Sequence, residues 1–355
     1  LKMQIGLGLY RHLLTPDNYT FARQMGVEQI VVHLENYLGS SDEGGVALSR
    51  GDDDGWGEAD NGDWSYERLR GLVDELGIHG LKIAAIENFA VRQWHDVLLA
   101  GPRRDEQLAQ LQQIIRNVGR AGIPCIGYNF SLAGVWGWDR GPFARGGALS
   151  VGFNADNIDI DQPIPDGMVW NMRYRPGEAG KTLAPVSSEQ LWERFAYFLK
   201  AVLPVAEEAG VMLAAHPDDP PMPALRGMAR LVNEQHKYDR LIALDPRPAN
   251  GLELCLGSLQ EMPGSDVYAA VDKYSRENRI GYIHFRNVVG KVPNYREVFV
   301  DEGDLDMAKV MAILKHNNFK GLLIPDHTPE LHCNAPWHAG MAYAIGYMRA
   351  LLATA

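Results

Sequence analysis

Short apolar runs alternate with amphipathic stretches along the whole chain. The runs are Met3–Leu9, Gln29–Glu35, Lys82–Asn88, Pro124–Phe130, Val211–Pro217, Gly251–Gly257, Ile280–Asn287 and Gly321–His327. Each is of strand length and rich in Val, Ile, Leu or Ala. Most lack strict polar–apolar alternation, the pattern of strands buried on both faces. Between them, Pro16–Met25, Trp64–Leu76, Arg104–Arg120, Ser188–Glu208, Ala224–Glu234, Asp266–Glu277 and Met307–Asn317 carry apolar residues at helical spacing, and Pro336–Leu352 forms a last helix. Thr15-Pro16 reads as a cap with proline in the first turn, and Gly26, Gly77, Gly122 and Gly210 stand where helix-ending glycines belong.

Eight strand-like runs alternating with eight helix-like stretches predict an α/β fold, a (β/α)8 TIM barrel, as a single domain over 1–355. An open doubly wound sheet would show the same alternation. No GxGxxG follows the first run, and the eightfold count favours the barrel. For the sixth strand, Leu241–Asp245 competes with Gly251–Gly257; the latter is preferred because it brings Cys255 to the barrel mouth. Two βα connections exceed ordinary loop length, 38–63 after strand 2 and 131–187 after strand 4. The second carries Trp136, Trp138, Phe143, Trp170 and Tyr174, which suits a packed lid or substrate wall better than a floppy insertion.

Composition narrows the function class. The chain has 355 residues, 45 acidic against 34 basic, for a net charge of −11. That balance argues against a nucleic-acid binder, and no run reaches bilayer length. Three cysteines cannot build a disulfide framework and point to a reducing compartment. With no secretory pattern in LKMQIGLGLY, the expectation is a cytoplasmic enzyme.

Barrel chemistry sits at the C-terminal ends of strands. Here those ends read His33-x-Glu35, Glu87-Asn88, Tyr128-Asn129, His216-Pro217-Asp218-Asp219, Cys255, His284-x-Arg286 and Asp326-His327. His216, Cys255, His284 and Asp326 fall on four consecutive strands, and imidazole, thiolate and carboxylate together suit a divalent transition ion. Each alone is readily a buried cysteine or a satisfied polar group; together they favour a metal. Asp218 could bind substrate or, with Asp219, cap a helix beginning near Pro223. Arg286 suits a substrate carboxylate, or a salt bridge to a neighbouring acid. His327, beside Asp326, is either a general acid or base or a histidine facing the helices.

These motifs resemble the mannonate dehydratase family. The resemblance runs from about Glu87 to Leu352. It rests on YNF at Tyr128–Phe130, HPDDPP at His216–Pro221, ANGLELCLGSL at Ala249–Leu259, HFRNV at His284–Val288, GDLDM at Gly303–Met307 and PDH at Pro325–His327, with Arg104–Pro124 like the family's third helix. It implies a xylose-isomerase-like TIM barrel and a Mn²⁺ or similar divalent site of His216, Cys255, His284 and Asp326. It also implies a cytoplasmic homo-oligomer dehydrating a sugar acid, D-mannonate or a related aldonate, to a 2-keto-3-deoxy acid. The resemblance makes His327 a candidate catalytic group, with Tyr128 a possible partner; Arg286, Asp218, Asn129 and His33, at the strand ends, are the candidate substrate contacts. A metal-dependent isomerase or epimerase of the same barrel class is the alternative. Ile324 before PDH, Thr328-Pro329-Glu330 after it, NYREVFVDE at Asn294–Glu302 and Asn88–Arg92 depart from the family's pattern, all in loops expected to touch substrate.

Overall fold

The computed structural model describes residues 2–37 and 56–354. Most of the first long connection, including its acidic residues Asp42, Glu43 and Asp52–Asp54, therefore lies outside the described residues. Eight parallel strands close a barrel: β1 Gln4–Leu9, β2 Gln29–Val32, β3 Lys82–Glu87, β4 Cys125–Tyr128, β5 Met212–Ala215, β6 Asn250–Cys255, β7 Ile280–His284 and β8 Leu322–Ile324. Neighbours in space follow chain order, and β8 closes on β1 through Gln4↔Leu322. All eight coincide with the apolar runs. Leu241–Asp245 instead ends the helix Lys237–Leu244, so β6 does carry Cys255, in register with His284 of β7.

Side-chain alternation along these strands decides what reaches the mouth. On β2, Val31 faces in while Ile30 and Val32 join the outer core, so His33 faces in. On β5, Ala214 faces in and Leu213 and Ala215 face out, so His216 faces in. The same count on β6 puts Leu252 and Leu254 outside and Cys255 inside. At the end of β8 the alternation breaks. Asp326 has φ 62°, the left-handed region, which lets Asp326 and His327 face one cavity although they are adjacent. The outer faces pack on helices whose ends follow their capping signals. Thr15 accepts from Asn18 N–H with Pro16 in the first turn, Ser187 and Gln190 form a capping box, and Gly122 and Gly210 are left-handed. Gly77 instead lies inside Tyr66–Ile78, and Gly80, at φ 72°, follows that helix.

Ala224–Glu234 is not a helix. Arg226 and Gly227 both have positive φ, turning a two-stranded ladder of Ala224–Leu225 and Met228–Ala229. A further helix, Val91–Leu99, was not among the expected elements; it buries Gln93, His95 and Asp96 along with its apolar residues. The carboxylate of Glu35 accepts from Val91 N–H at that helix's start, at 2.9 Å, and from Asp60 N–H at 3.0 Å.

The insertion after β4 is a lid. Trp138–Ala144 and Ala148–Asn154 form a hairpin that pairs with a second hairpin, Asn287–Lys291 and Asn294–Val298, from the loop after β7. A second small sheet joins Gly57–Glu58 to Met168–Val169 and Met172–Arg173. Both sheets lie beyond the C-terminal strand ends, and they bring Trp138, Trp170, Tyr295 and Glu297 over the barrel. Below them the barrel axis is crowded. A methyl at Gly127 of β4 would overlap Tyr282 Oη and a Glu253 oxygen. Gly127→Ala is expected to cost about 1–3 kcal/mol by overpacking, read as a lowered urea midpoint. An unchanged midpoint would mean that the axial layer yields freely.

Candidate active site and metal centre

At the C-terminal mouth a cavity is lined by Tyr10, His33 and Glu87 on one side and His216, Asp219, His284, Arg286, Asp326 and His327 on the other. Tyr37, Trp56, Trp138 and Trp170 form its aromatic wall. A far larger cavity, about 1130 Å³, opens at the opposite mouth beside Met212 and Leu322. Among the described residues, both groups of three metal-ligating side chains lie at the C-terminal mouth. Chemistry rather than size therefore locates the site.

One group is His216, Cys255 and His284, with ligand atoms all within 4.8 Å of one another; the other is Glu87, His284 and Asp326. His284 belongs to both. Its Nδ1 is buried without a hydrogen-bond partner, 3.3 Å from Asp326 Oδ2. Its Nε2 lies 2.9 Å from Glu253 Oε1 and 3.2 Å from Glu87 Oε2. This is the arrangement of a metal-ligating histidine whose second nitrogen is fixed by a carboxylate. His216 Nδ1 lies against the Pro217 carbonyl, so a proton donated there leaves Nε2 open. Burial raises the Cys255 thiol, but Arg286, His216 and His284 outweigh it and hold its pKa well below the ordinary value. A lowered pKa favours the thiolate, the form that binds metal. Burial pulls His216 down, yet Cys255 and Glu253 lift it to about 9.

Arg286 is the electrostatic hub. Its guanidinium is 2 % exposed. It donates to Asp219 Oδ2 at 2.6 Å, Glu261 Oε1 at 3.1 Å, Ser258 Oγ at 3.1 Å and Cys255 Sγ at 3.3 Å. Glu297 lies 3.8 Å from Nη1. Of the two readings of Arg286, the geometry builds the salt bridge: both terminal nitrogens are held by protein, and only Nε lacks a hydrogen bond.

Two expectations are corrected. Tyr128 does not reach the cavity. Cys125 lies in the inner cluster and a side chain at Gly127 would enter the barrel axis, so alternation turns Tyr128 outward, where its ring packs 5.4 Å from Phe198 and 6.4 Å from Phe195 of the helix Ser188–Ala209. Asp218 is neither a cavity residue nor a helix cap. It accepts from Val232 N–H at 2.7 Å and lies 3.4 Å from Arg230 Nε, while its neighbour Asp219 faces the cavity. Asn129 lines the cavity and accepts from Trp170 Nε1 at 3.1 Å. His33 lines it too, with its ring 4.5 Å from Tyr10. His327 faces in, its Nδ1 in contact with Glu297 and its Nε2 3.3 Å from Asp326.

Several site residues escaped the sequence reading. Glu253 stands two positions before Cys255, so the alternation that places Cys255 inside places it inside too. Tyr10 follows the same rule after Gly8. Tyr295 and Glu297 lie on a distant hairpin, and their arrival depends on pairing such as Tyr295↔Phe153, which no local pattern announces.

The closed eight-stranded barrel, with side chains able to hold a metal ion at its C-terminal mouth, defines a (β/α)8 TIM-barrel protein. A xylose isomerase domain protein from Planctomyces limnophilus shares this fold at 13% identity and TM-score 0.57, covering 99% of this chain and 98% of its own. Residues 22–354 match the D-mannonate dehydratase (UxuA) family. The mannonate dehydratase of Streptococcus pneumoniae (strain 70585) is 33% identical over 276 residues, 74% of each chain. The crystal structure of the mannonate dehydratase of Streptococcus suis serotype2 is 28% identical, with TM-score 0.77, covering 99% of this chain and 93% of that one. The chain belongs to the mannonate dehydratase family.

The hub makes a testable demand. Arg286→Met leaves Asp219, Glu261 and Glu297 without their buried cation, and a stability loss of about 3–5 kcal/mol is expected, measured by urea denaturation. A loss below about 1 kcal/mol, the range of an exposed pair, would assign Arg286 to substrate binding instead.

Proposed function

We propose that this chain dehydrates D-mannonate or a related aldonate to the 2-keto-3-deoxy acid, with Mn²⁺ or another divalent transition ion held by His216, Cys255, His284 and Asp326. The observation that carries the reading is the convergence of His216, Cys255 and His284 within 4.8 Å in a chain of this family. The donor set suits a cation. The His284 Nδ1 is buried without a hydrogen-bond partner, 3.3 Å from Asp326 Oδ2, and against the opposing effect of burial Arg286, His216 and His284 hold the Cys255 thiol well below its ordinary pKa. A bound ion would supply Lewis acidity, stabilising negative charge on the substrate as the C2 proton leaves.

The protein's own residues do the rest. The C2 proton beside a carboxylate is weakly acidic, so its removal needs a positioned base, and departure of the C3 hydroxyl needs a proton donor. His327 is the donor in this proposal. Glu297 fixes its Nδ1 and turns Nε2 toward Asp326 and the ligand cluster. Trp138, 5.2 Å from the His327 ring, covers it from the lid and excludes water. Asn129 supplies a polar edge for sugar hydroxyls. The departures around PDH and at NYREVFVDE alter the wall around a retained ligand set, which is why a relative of mannonate stays within the proposal. The epimerase alternative has only shared architecture behind it: an L-ribulose 3-epimerase matches at 14% identity and TM-score 0.55. Among the described residues no helix is long and apolar enough to cross a membrane.

The test is a semicarbazide assay for 2-keto acid across a panel of aldonates with Mn²⁺. Product from D-mannonate or a close relative, lost on chelation and restored by Mn²⁺, is expected. Absence of product from every aldonate, with turnover of ketoses, would refute the reading. His216→Ala and Cys255→Ser are each expected to lower bound metal below stoichiometric by elemental analysis. Full metal in both would place the ion elsewhere.

A further inference from the structure

With Tyr128 turned into the helix layer, the base that removes the C2 proton has no assigned residue. Four observations single out His33. It follows β2, lines the cavity with His284, Asp326 and His327, and belongs to neither metal-ligating group. Its ring packs 4.5 Å from Tyr10 and edge-on to Tyr37 at 5.8 Å. Its Nε2 lies 3.7 Å from Glu87 Oε2. Its Nδ1 is buried and has no hydrogen-bond partner. A buried imidazole with a structural task satisfies both nitrogens, because an orphaned one costs about 1–3 kcal/mol. With Nε2 3.7 Å from the Glu87 carboxylate and Nδ1 without a partner, the imidazole sits in the cavity beside a group that can stabilise its charged form.

Resting on the aldonate dehydration above, we propose that His33 is the catalytic base that takes the C2 proton, with Glu87 as its positioning residue. Nε2–H faces Glu87, and the open Nδ1 lone pair accepts the proton. The C2–H electron pair forms the C2–C3 double bond as the C3–O bond breaks. The hydroxyl leaves as water with the proton held by His327. The resulting enol ketonises: its hydroxyl proton returns to His327, and the proton on His33 goes to C3. One water is lost, and both histidines regain their starting states. The electrostatics agree with this role. Burial lowers the His33 pKa, and His284 and His327 lower it further, against the opposing pull of Glu87 and Asp326. Glu87 then stabilises the imidazolium once it forms.

The experiment separates base from acid with 3-deoxy-3-fluoro-D-mannonate, whose fluoride leaves without needing a proton. The variants are His33→Asn and His33→Gln, alongside His327→Asn, with folding checked by circular dichroism and metal content by elemental analysis. In whichever His33 variant folds, kcat is expected to fall about 10²–10⁴-fold on both D-mannonate and the fluoro compound, with KM and metal content close to those of the wild type. His327→Asn is expected to lose turnover of mannonate but to keep much of its fluoride release. Fluoride release by a folded His33 variant within about tenfold of the wild type, or a defect confined to KM or to metal content, overturns the assignment. If the wild type itself releases neither 2-keto acid nor fluoride from any aldonate, the dehydratase reading fails rather than the assignment of His33.

Discussion

The buried guanidinium of Arg286 makes the rest of the site possible. Asp219, Glu261 and Glu297 are carboxyl groups at 3 % exposure or less. Burial pushes Glu261 and Glu297 above the ordinary carboxyl range, while against burial Arg286 draws Asp219 and the Cys255 thiol below theirs, toward the charged forms. Such charges are not buried without partners. Arg286 gives direct donors to Asp219, Glu261 and Cys255, and the imidazoles of His216, His284 and His327 share the remainder. The pairing is incomplete at one place. His284 Nδ1 lies buried without a hydrogen bond, 3.3 Å from Asp326 Oδ2. That open nitrogen belongs to both groups of side chains able to hold a metal.

The same charge network ties the lid to the barrel. Asp219 accepts from Arg286 and Ser258 below it and from Trp138 and Tyr295 above it. Trp138 comes from the insertion after β4 and Tyr295 from the hairpin after β7, and the two hairpins are strands of one sheet. Glu297 on that sheet reaches His327. The insertion after β4 and the NYREVFVDE hairpin are therefore both anchored to Asp219 at the barrel mouth. A barrel can vary its substrate wall in this way while the ligands stay on the strand ends.

Much of this was legible in the residues. Eight apolar runs became eight strands, because burial on both faces writes itself as unbroken hydrophobicity. The period of two then sorted His33, His216, Cys255 and His284 inward. Two kinds of feature were not legible. The first was alternation left unapplied: counted strictly, it turns Tyr128 outward from Gly127 and places Glu253 inside with Cys255. The second depends on tertiary structure. The left-handed Asp326 sets His327 beside it in the cavity, and only the lid sheet delivers Glu297 and Trp138. The Ala224–Glu234 stretch failed for a related reason, since Arg226-Gly227 is a tight-turn pair inside an otherwise amphipathic spacing. Arg286 carried both its readings in the sequence, and only its surroundings chose between them.

The central claim is that the Cys255 thiolate and its neighbouring imidazoles are the seat of a divalent ion. Cobalt(II) substitution reads this directly, because a thiolate bound to cobalt gives an intense near-ultraviolet charge-transfer band that nitrogen and oxygen ligands do not. The account predicts that band on addition of Co²⁺ to the metal-free protein, and its loss in Cys255→Ser. Stoichiometric cobalt binding without the band, or a band that survives the Cys255→Ser substitution, would contradict it.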